Sequence, residues 1–135
     1  MEELSISAEV KNLPGVISFI RRQLEAVGCG EMEMLQMELT AEEVFVNIAS
    51  YAYDPEVGPA TVRVETEEHP PSVVVSFTDQ GRPYNPLMRK DPNIHLPVSQ
   101  RRRGGLGVYL VKQYMDDVDY QYRDGRNILT MRKNL

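Results

Sequence analysis

The sequence predicts an α+β fold arranged as a two-layer α/β sandwich, with a mixed, mainly antiparallel sheet covered on one face by helices. Two observations carry this. After one short alternating run, apolar residues recur at helical spacing in two consecutive segments. The β-rich runs then come in adjacent pairs, each broken by a turn signal. No internal repeat, low-complexity stretch or linker composition divides the 135 residues, so 1–135 reads as a single domain. Folding a chain of this length buries roughly two-thirds of its extended surface, enough for one core.

The elements follow in order. Leu4 to Val10 alternates apolar and polar side chains, as a half-buried strand does. From Leu13 to Val27 a helix is predicted, because Val16, Ile17, Ile20, Leu24 and Val27 share a face, and Gly28 and Gly30 end it. A longer helix is expected from Glu31 to Ala52, with Met34, Met37, Ala41, Val44, Phe45 and Ile48 on its apolar face. Methionine at helical spacing fills gaps between packed elements, so the Met residues read as core. Tyr53-Asp54-Pro55 breaks that helix. Thr61–Thr66 and Ser72–Thr78 then read as a hairpin around His69-Pro70-Pro71.

The stretch from Tyr84 to Arg103 has no period and reads as a long loop, a length that is uncommon in a compact domain unless the loop works as a lid. Gly104-Gly105-Leu106-Gly107 opens a third helix running to Met115, with Val108, Leu110, Val111 and Tyr114 as its apolar face. Val118–Arg123 and Asn127–Arg132 close the chain as a hairpin around Asp124-Gly125, residues suited to the positive φ angles of a tight turn.

Composition narrows the function classes. With 41% hydrophobic and 26% charged residues the chain is too apolar for a disordered segment. A net charge of −5 argues against direct nucleic-acid binding, which needs a basic surface to displace counterions. Cys29 is the single cysteine, so no intrachain disulfide is expected, and no Cys/His cluster has the spacing of a zinc site. MEELSISAEV lacks the basic and apolar regions of a signal peptide, and no run approaches the roughly 18 apolar residues of a membrane span. The expectation is a cytoplasmic protein with no membrane partner.

Three constellations could carry chemistry. Glu43 and Asn47 are four apart on the second helix and therefore neighbours on its surface. An Asn carbonyl can hold Mg²⁺, which prefers few protein ligands plus substrate phosphates, and the Glu43 carboxylate could take a proton from an attacking hydroxyl. A solvated helix face would look the same. Asp79, Gly81 and Pro83 directly follow an apolar strand ending Val73-Val74-Val75-Ser76-Phe77. A carboxylate there could accept a hydrogen bond from a flat amino-bearing ring while Gly81 lets the ring approach; an ordinary turn has the same composition. Finally, in Arg101-Arg102-Arg103-Gly104-Gly105-Leu106-Gly107 the glycines expose N–H groups at a helix start, a local phosphate cradle that Arg103 can reinforce. It is neither a P-loop nor a complete dinucleotide fingerprint.

In this order, Glu-x-x-x-Asn on a helix, Asp-x-Gly-x-Pro after a strand and Gly-Gly-Leu-Gly before a helix resemble the N, G1 and G2 boxes of the GHKL ATPases, which share the Bergerat ATP-binding fold. The run GGLGVYLVKQYMDDVDYQYRDGRNILTMRKNL is similar to the C-terminal third of the anti-sigma serine-protein kinases in that superfamily. The resemblance implies ATP and Mg²⁺ as ligands, Glu43 as general base, Asn47 as Mg²⁺ ligand, Asp79 as adenine reader and Gly81 as its companion. Pro83 belongs to the same box. It also implies that Gly105 and Gly107, within Gly104-Gly105-Leu106-Gly107, hold phosphates with Arg103 beside them, and that the Tyr84–Arg103 loop covers the nucleotide.

The activity implied is serine/threonine phosphotransfer to an anti-anti-sigma partner of the STAS type, by a domain that also binds a sigma factor and dimerises through its sheet. The alternative is an ATP-gated binding module without transfer. Tyr51 departs from the family pattern, where His or Lys often stands four positions after the Asn.

Overall fold

The computed structural model describes residues 1–88 and 111–135. In chain order these form β1 (Glu2–Ser7), α1 (Leu13–Ala26), α2 (Glu31–Asn47), β2 (Pro59–Glu68), β3 (Pro71–Asp79), β4 (Asp117–Arg123) and β5 (Arg126–Asn134). The strands make one sheet in the order β1-β2-β3-β5-β4. All four pairings are antiparallel, so no parallel pair joins the mainly antiparallel sheet expected among the described residues.

Each strand alternates between two environments. Val62 and Val64 of β2, Val73, Val75 and Phe77 of β3, and Leu129 and Met131 of β5 point into the core, while Arg63, Ser76 and Thr130 point away from it. Against the inner face lie Val16, Phe19, Ile20 and Leu24 of α1, Met34, Met37, Ala41, Val44 and Phe45 of α2, and Val111 and Met115 near the helical turn at 111–114. The methionines at 34 and 37 are core, as their spacing indicates. Each large side chain taken fully out of water contributes about 1.5–3 kcal/mol, so Phe45, Phe77, Ile20 and Leu24 carry much of the stability.

The element ends differ from the sequence reading for local reasons. β1 stops at Ser7 rather than Val10, because the Asn12 side-chain amide and the Glu9 N–H both donate to the Ser7 carbonyl, and a 3₁₀ turn over Val10–Asn12 feeds α1. Val10 is exposed. α1 ends in a Schellman cap: Cys29 N–H donates to the Leu24 carbonyl and Gly28 N–H to that of Glu25. Gly30 does not help to end α1; it is the N-cap of α2.

The second helix keeps α geometry only to Asn47 and continues as a π turn over Ile48–Ala52. The β2–β3 hairpin has the expected position with longer arms, turning at His69-Pro70. The last hairpin turns on Asp124 (φ 54°) and Gly125 (φ 76°), two successive positive angles whose twist matches the flanking strands.

Candidate functional site

A cavity of about 410 Å³ opens between the C-terminal end of α2 and the ends of β3 and β5. Its size suits a small-molecule ligand. Val44, Phe77 and Leu129 give it an apolar wall; Glu43 and Asn47 stand on one side and Asp79 on another. The fold therefore joins two of the three constellations, thirty-two residues apart or more in sequence, around one space.

On the helix side, the Asn47 side-chain NH₂ donates to Glu43 Oε1 at 3.2 Å. That bond fixes the amide so that its oxygen is turned from Glu43. On the sheet side Asp79 is buried, 5% exposed. Its Oδ1 accepts from Gly81 N–H at 2.9 Å and from the Asn127 side-chain NH₂ at 2.9 Å. Asn127 lies directly opposite Asp79 in the β3–β5 register and is itself buried.

Gly81 is held against the helix end. A Cβ at this position would lie 2.3 Å from the Ala52 carbonyl oxygen, and Arg82 N–H donates to the same oxygen at 3.1 Å. The Arg82 guanidinium donates through Nη2 to the carbonyls of Asp54 at 2.6 Å and Tyr51 at 3.4 Å. The carbonyls that the π turn leaves without helical donors are thus satisfied from the Asp79–Pro83 segment. Pro83 lines the cavity just beyond.

Three residues at the site were not singled out from sequence. Tyr53 donates its hydroxyl to the Pro59 carbonyl and accepts Gln80 N–H at 2.7 Å, bracing the end of β3. Burial pushes its phenol pKa up, the Gln80 N–H opposes the shift and the Asp79 carboxylate adds to it. Tyr120 donates to Asn127 Oδ1 and accepts Tyr84 N–H at 3.2 Å; burial likewise raises its pKa. Asn127 offered a signal: it occupies an inward position of the series Asn127, Leu129, Met131, where an amide is out of place in a strand unless it has partners.

The third constellation, Arg101 to Gly107 including Arg103, Gly104, Gly105, Leu106 and Gly107, lies outside the described residues, as does the loop beyond Met88. The described start of that loop carries a 3₁₀ turn at Pro86–Met88.

The donor set can be matched to the expected ligands. No group of three or more Asp, Glu, His or Cys that could cage a metal occurs among the described residues. Mg²⁺ does not need one: a single amide oxygen such as that of Asn47, completed by water and phosphate oxygens, suits it. Among the described lining residues the carboxylates of Glu43, Asp54 and Asp79 outnumber the one guanidinium, Arg82. A polyphosphate entering this space is therefore better accommodated with a divalent cation.

Residues 6–133 match the histidine kinase-like ATPase domain. The chain belongs to that family. It is 30% identical over 95 residues to the serine/threonine-protein kinase BtrW of Bordetella bronchiseptica, covering 70% of this chain and 66% of that protein. It is also 30% identical over 95 residues to the serine-protein kinase RsbW of Bacillus cereus, covering 69% of this chain and 59% of the relative. The match thus spans about three-fifths to two-thirds of the curated relatives. Among solved structures, a chain in the SiaB–SiaC complex from Pseudomonas aeruginosa superposes with a TM-score of 0.61 at 17% identity, over 98% of this chain and 89% of that one. At that identity it speaks to the fold, a histidine kinase-like α+β sandwich with one antiparallel sheet. No helix among the described residues is long and apolar enough to cross a membrane.

Proposed function

We propose that this chain is an ATP- and Mg²⁺-dependent serine/threonine protein kinase of the anti-sigma type, and that its phosphoacceptor is an anti-anti-sigma protein with a STAS fold. The observation that carries this reading is the shared cavity: Glu43 and Asn47 on the helix edge face the space that also holds buried Asp79. In this reading Asp79 accepts from the exocyclic amine of adenine, Phe77 and Leu129 contact the ring, and Asn47 contributes its amide oxygen to the Mg²⁺ that neutralises phosphate charge. Glu43 takes the proton of the incoming Ser or Thr hydroxyl as its oxygen bonds to the γ-phosphorus and ADP leaves. Positioning and charge neutralisation supply most of the rate in such transfers. Gly104-Gly105-Leu106-Gly107 and Arg103 are assigned the phosphates on their sequence pattern alone. The family kinship and the names of the 30%-identical relatives support the kinase reading. Binding of a sigma factor, dimerisation and a cytoplasmic location belong to the same proposal.

Calorimetry with ATP-Mg²⁺ and a phosphotransfer assay on a purified STAS-type protein test it together. Asp79→Asn and Asn47→Ala should each weaken ATP binding by about tenfold or more, since each removes a polar contact that has no substitute. Glu43→Ala should abolish transfer and leave ATP affinity nearly unchanged. Transfer that survives Glu43→Ala removes the assigned base. Binding of ATP without transfer by the wild type points instead to a nucleotide-gated binding module, and absence of ATP binding by folded protein ends the reading.

A further inference from the structure

The base end of the cavity holds more polar machinery than a single carboxylate requires. The Asn127 side chain has all its hydrogen-bonding capacity committed. Its NH₂ donates to Asp79 Oδ1 at 2.9 Å and to the Arg82 carbonyl at 2.8 Å, with the Gly81 carbonyl at 3.4 Å; its Oδ1 accepts from Tyr84 N–H at 3.1 Å and from the Tyr120 hydroxyl. Tyr120 in turn accepts Tyr84 N–H. Asp79 Oδ1 is saturated by Gly81 N–H and Asn127. Both donors that the described residues give this carboxylate land on Oδ1, so Oδ2 is the oxygen to which no described residue donates, and Asp79 lines the cavity.

From this saturation we infer that Asn127 and Tyr120 are positioning residues that set the base specificity of the site. The inference rests on the reading of Asp79 as the residue that meets the base. Adenine presents an amino donor at its six-position; hypoxanthine and guanine present a carbonyl oxygen there. A pocket end that offers a carboxylate acceptor rewards the first and repels the second. Asn127 enforces the choice by holding Oδ1, and so keeps the carboxylate from rotating away from the base. Tyr120 fixes the Asn127 amide from the far side. Because both also hold Tyr84 N–H, the same pair ties the start of the following loop to the residue that meets the base.

The test compares Kd for ATP-Mg²⁺ and inosine triphosphate-Mg²⁺ by calorimetry in the wild type, Asn127→Asp and Tyr120→Phe. The wild type should favour ATP by about tenfold or more. In Asn127→Asp an oxygen replaces the nitrogen facing Asp79 Oδ1, and two carboxyl groups at that distance share a proton. With that proton on the outer oxygen, Asp79 Oδ2 becomes a donor to the carbonyl of inosine, so the preference should fall to about threefold or less. Tyr120→Phe, which removes one hydroxyl from a half-buried ring, should reduce it roughly twofold. A purely structural role weakens both nucleotides equally and leaves the ratio unchanged, and that result overturns the inference. So does a wild type that does not discriminate. Should Asn127→Asp fail to fold, the ratio in Tyr120→Phe decides. Absence of binding for both nucleotides in the folded wild type defeats the nucleotide reading itself, a different outcome from an unchanged ratio.

Discussion

A methyl group at position 81 has nowhere to go. The Ala52 carbonyl oxygen would stand 2.3 Å from it and the Ala52 Cβ 2.7 Å, and the neighbouring Arg82 N–H is already bonded to that oxygen. Gly81→Ala must push the β3 end away from the π turn or break this contact, at a cost of about 1–3 kcal/mol that a urea titration should read. An unchanged midpoint would mean that the segment moves freely. The sequence suggested glycine here so that a ring could come close; the helix end gives a second reason that holds with no ligand present. Glu43, Asn47 and Asp79 were legible because their spacing and their place after a helix or strand are local properties. Asn127 and Tyr120 were not, since their roles come from partners 48 and 36 residues away, in bonds to Asp79 and Tyr84, that no window of sequence contains.

At the scale of elements, type and order were readable and ends were not. The α2 periodicity runs on through Ile48, but the carbonyls of Tyr51 and Ala52 are claimed by Arg82 from across the fold, and the helix widens to a π turn where they are claimed. The closing hairpin was the opposite case. Asp124-Gly125 states its own geometry, and the structure places both residues at positive φ. Gly125→Ala should therefore destabilise the protein by about 1 kcal/mol, measured by thermal or urea unfolding, because a Cβ strains a left-handed residue even where there is open space around it. A neutral result would show that the turn can change type without disturbing the β4–β5 register.

For the molecule as a whole, the pH response carries a defined sign. Tyr53 and Tyr120 have phenol pKa values raised by burial, so the folded state favours their neutral forms. Their contribution to stability is complete below the ordinary phenol value of about 10 and is lost as pH climbs from there through the raised values. Urea midpoints should hold between pH 8 and 9 and decline above about 10, with a shallower decline in Tyr53→Phe; equal slopes would assign the alkaline loss to other groups. The α+β class was legible because it needs only the order of elements, whereas the strand order was not, since β3 pairs with β5 across the whole 80–125 interval. That pairing also governs synthesis. β5 fills the slot between β3 and β4, so while the ribosome is still making residues 80–125 the hairpin of β2 and β3 shows one unpaired edge. β3 gains its second partner only once β5 has left the exit tunnel, so until then its free edge is open to pairing with other chains.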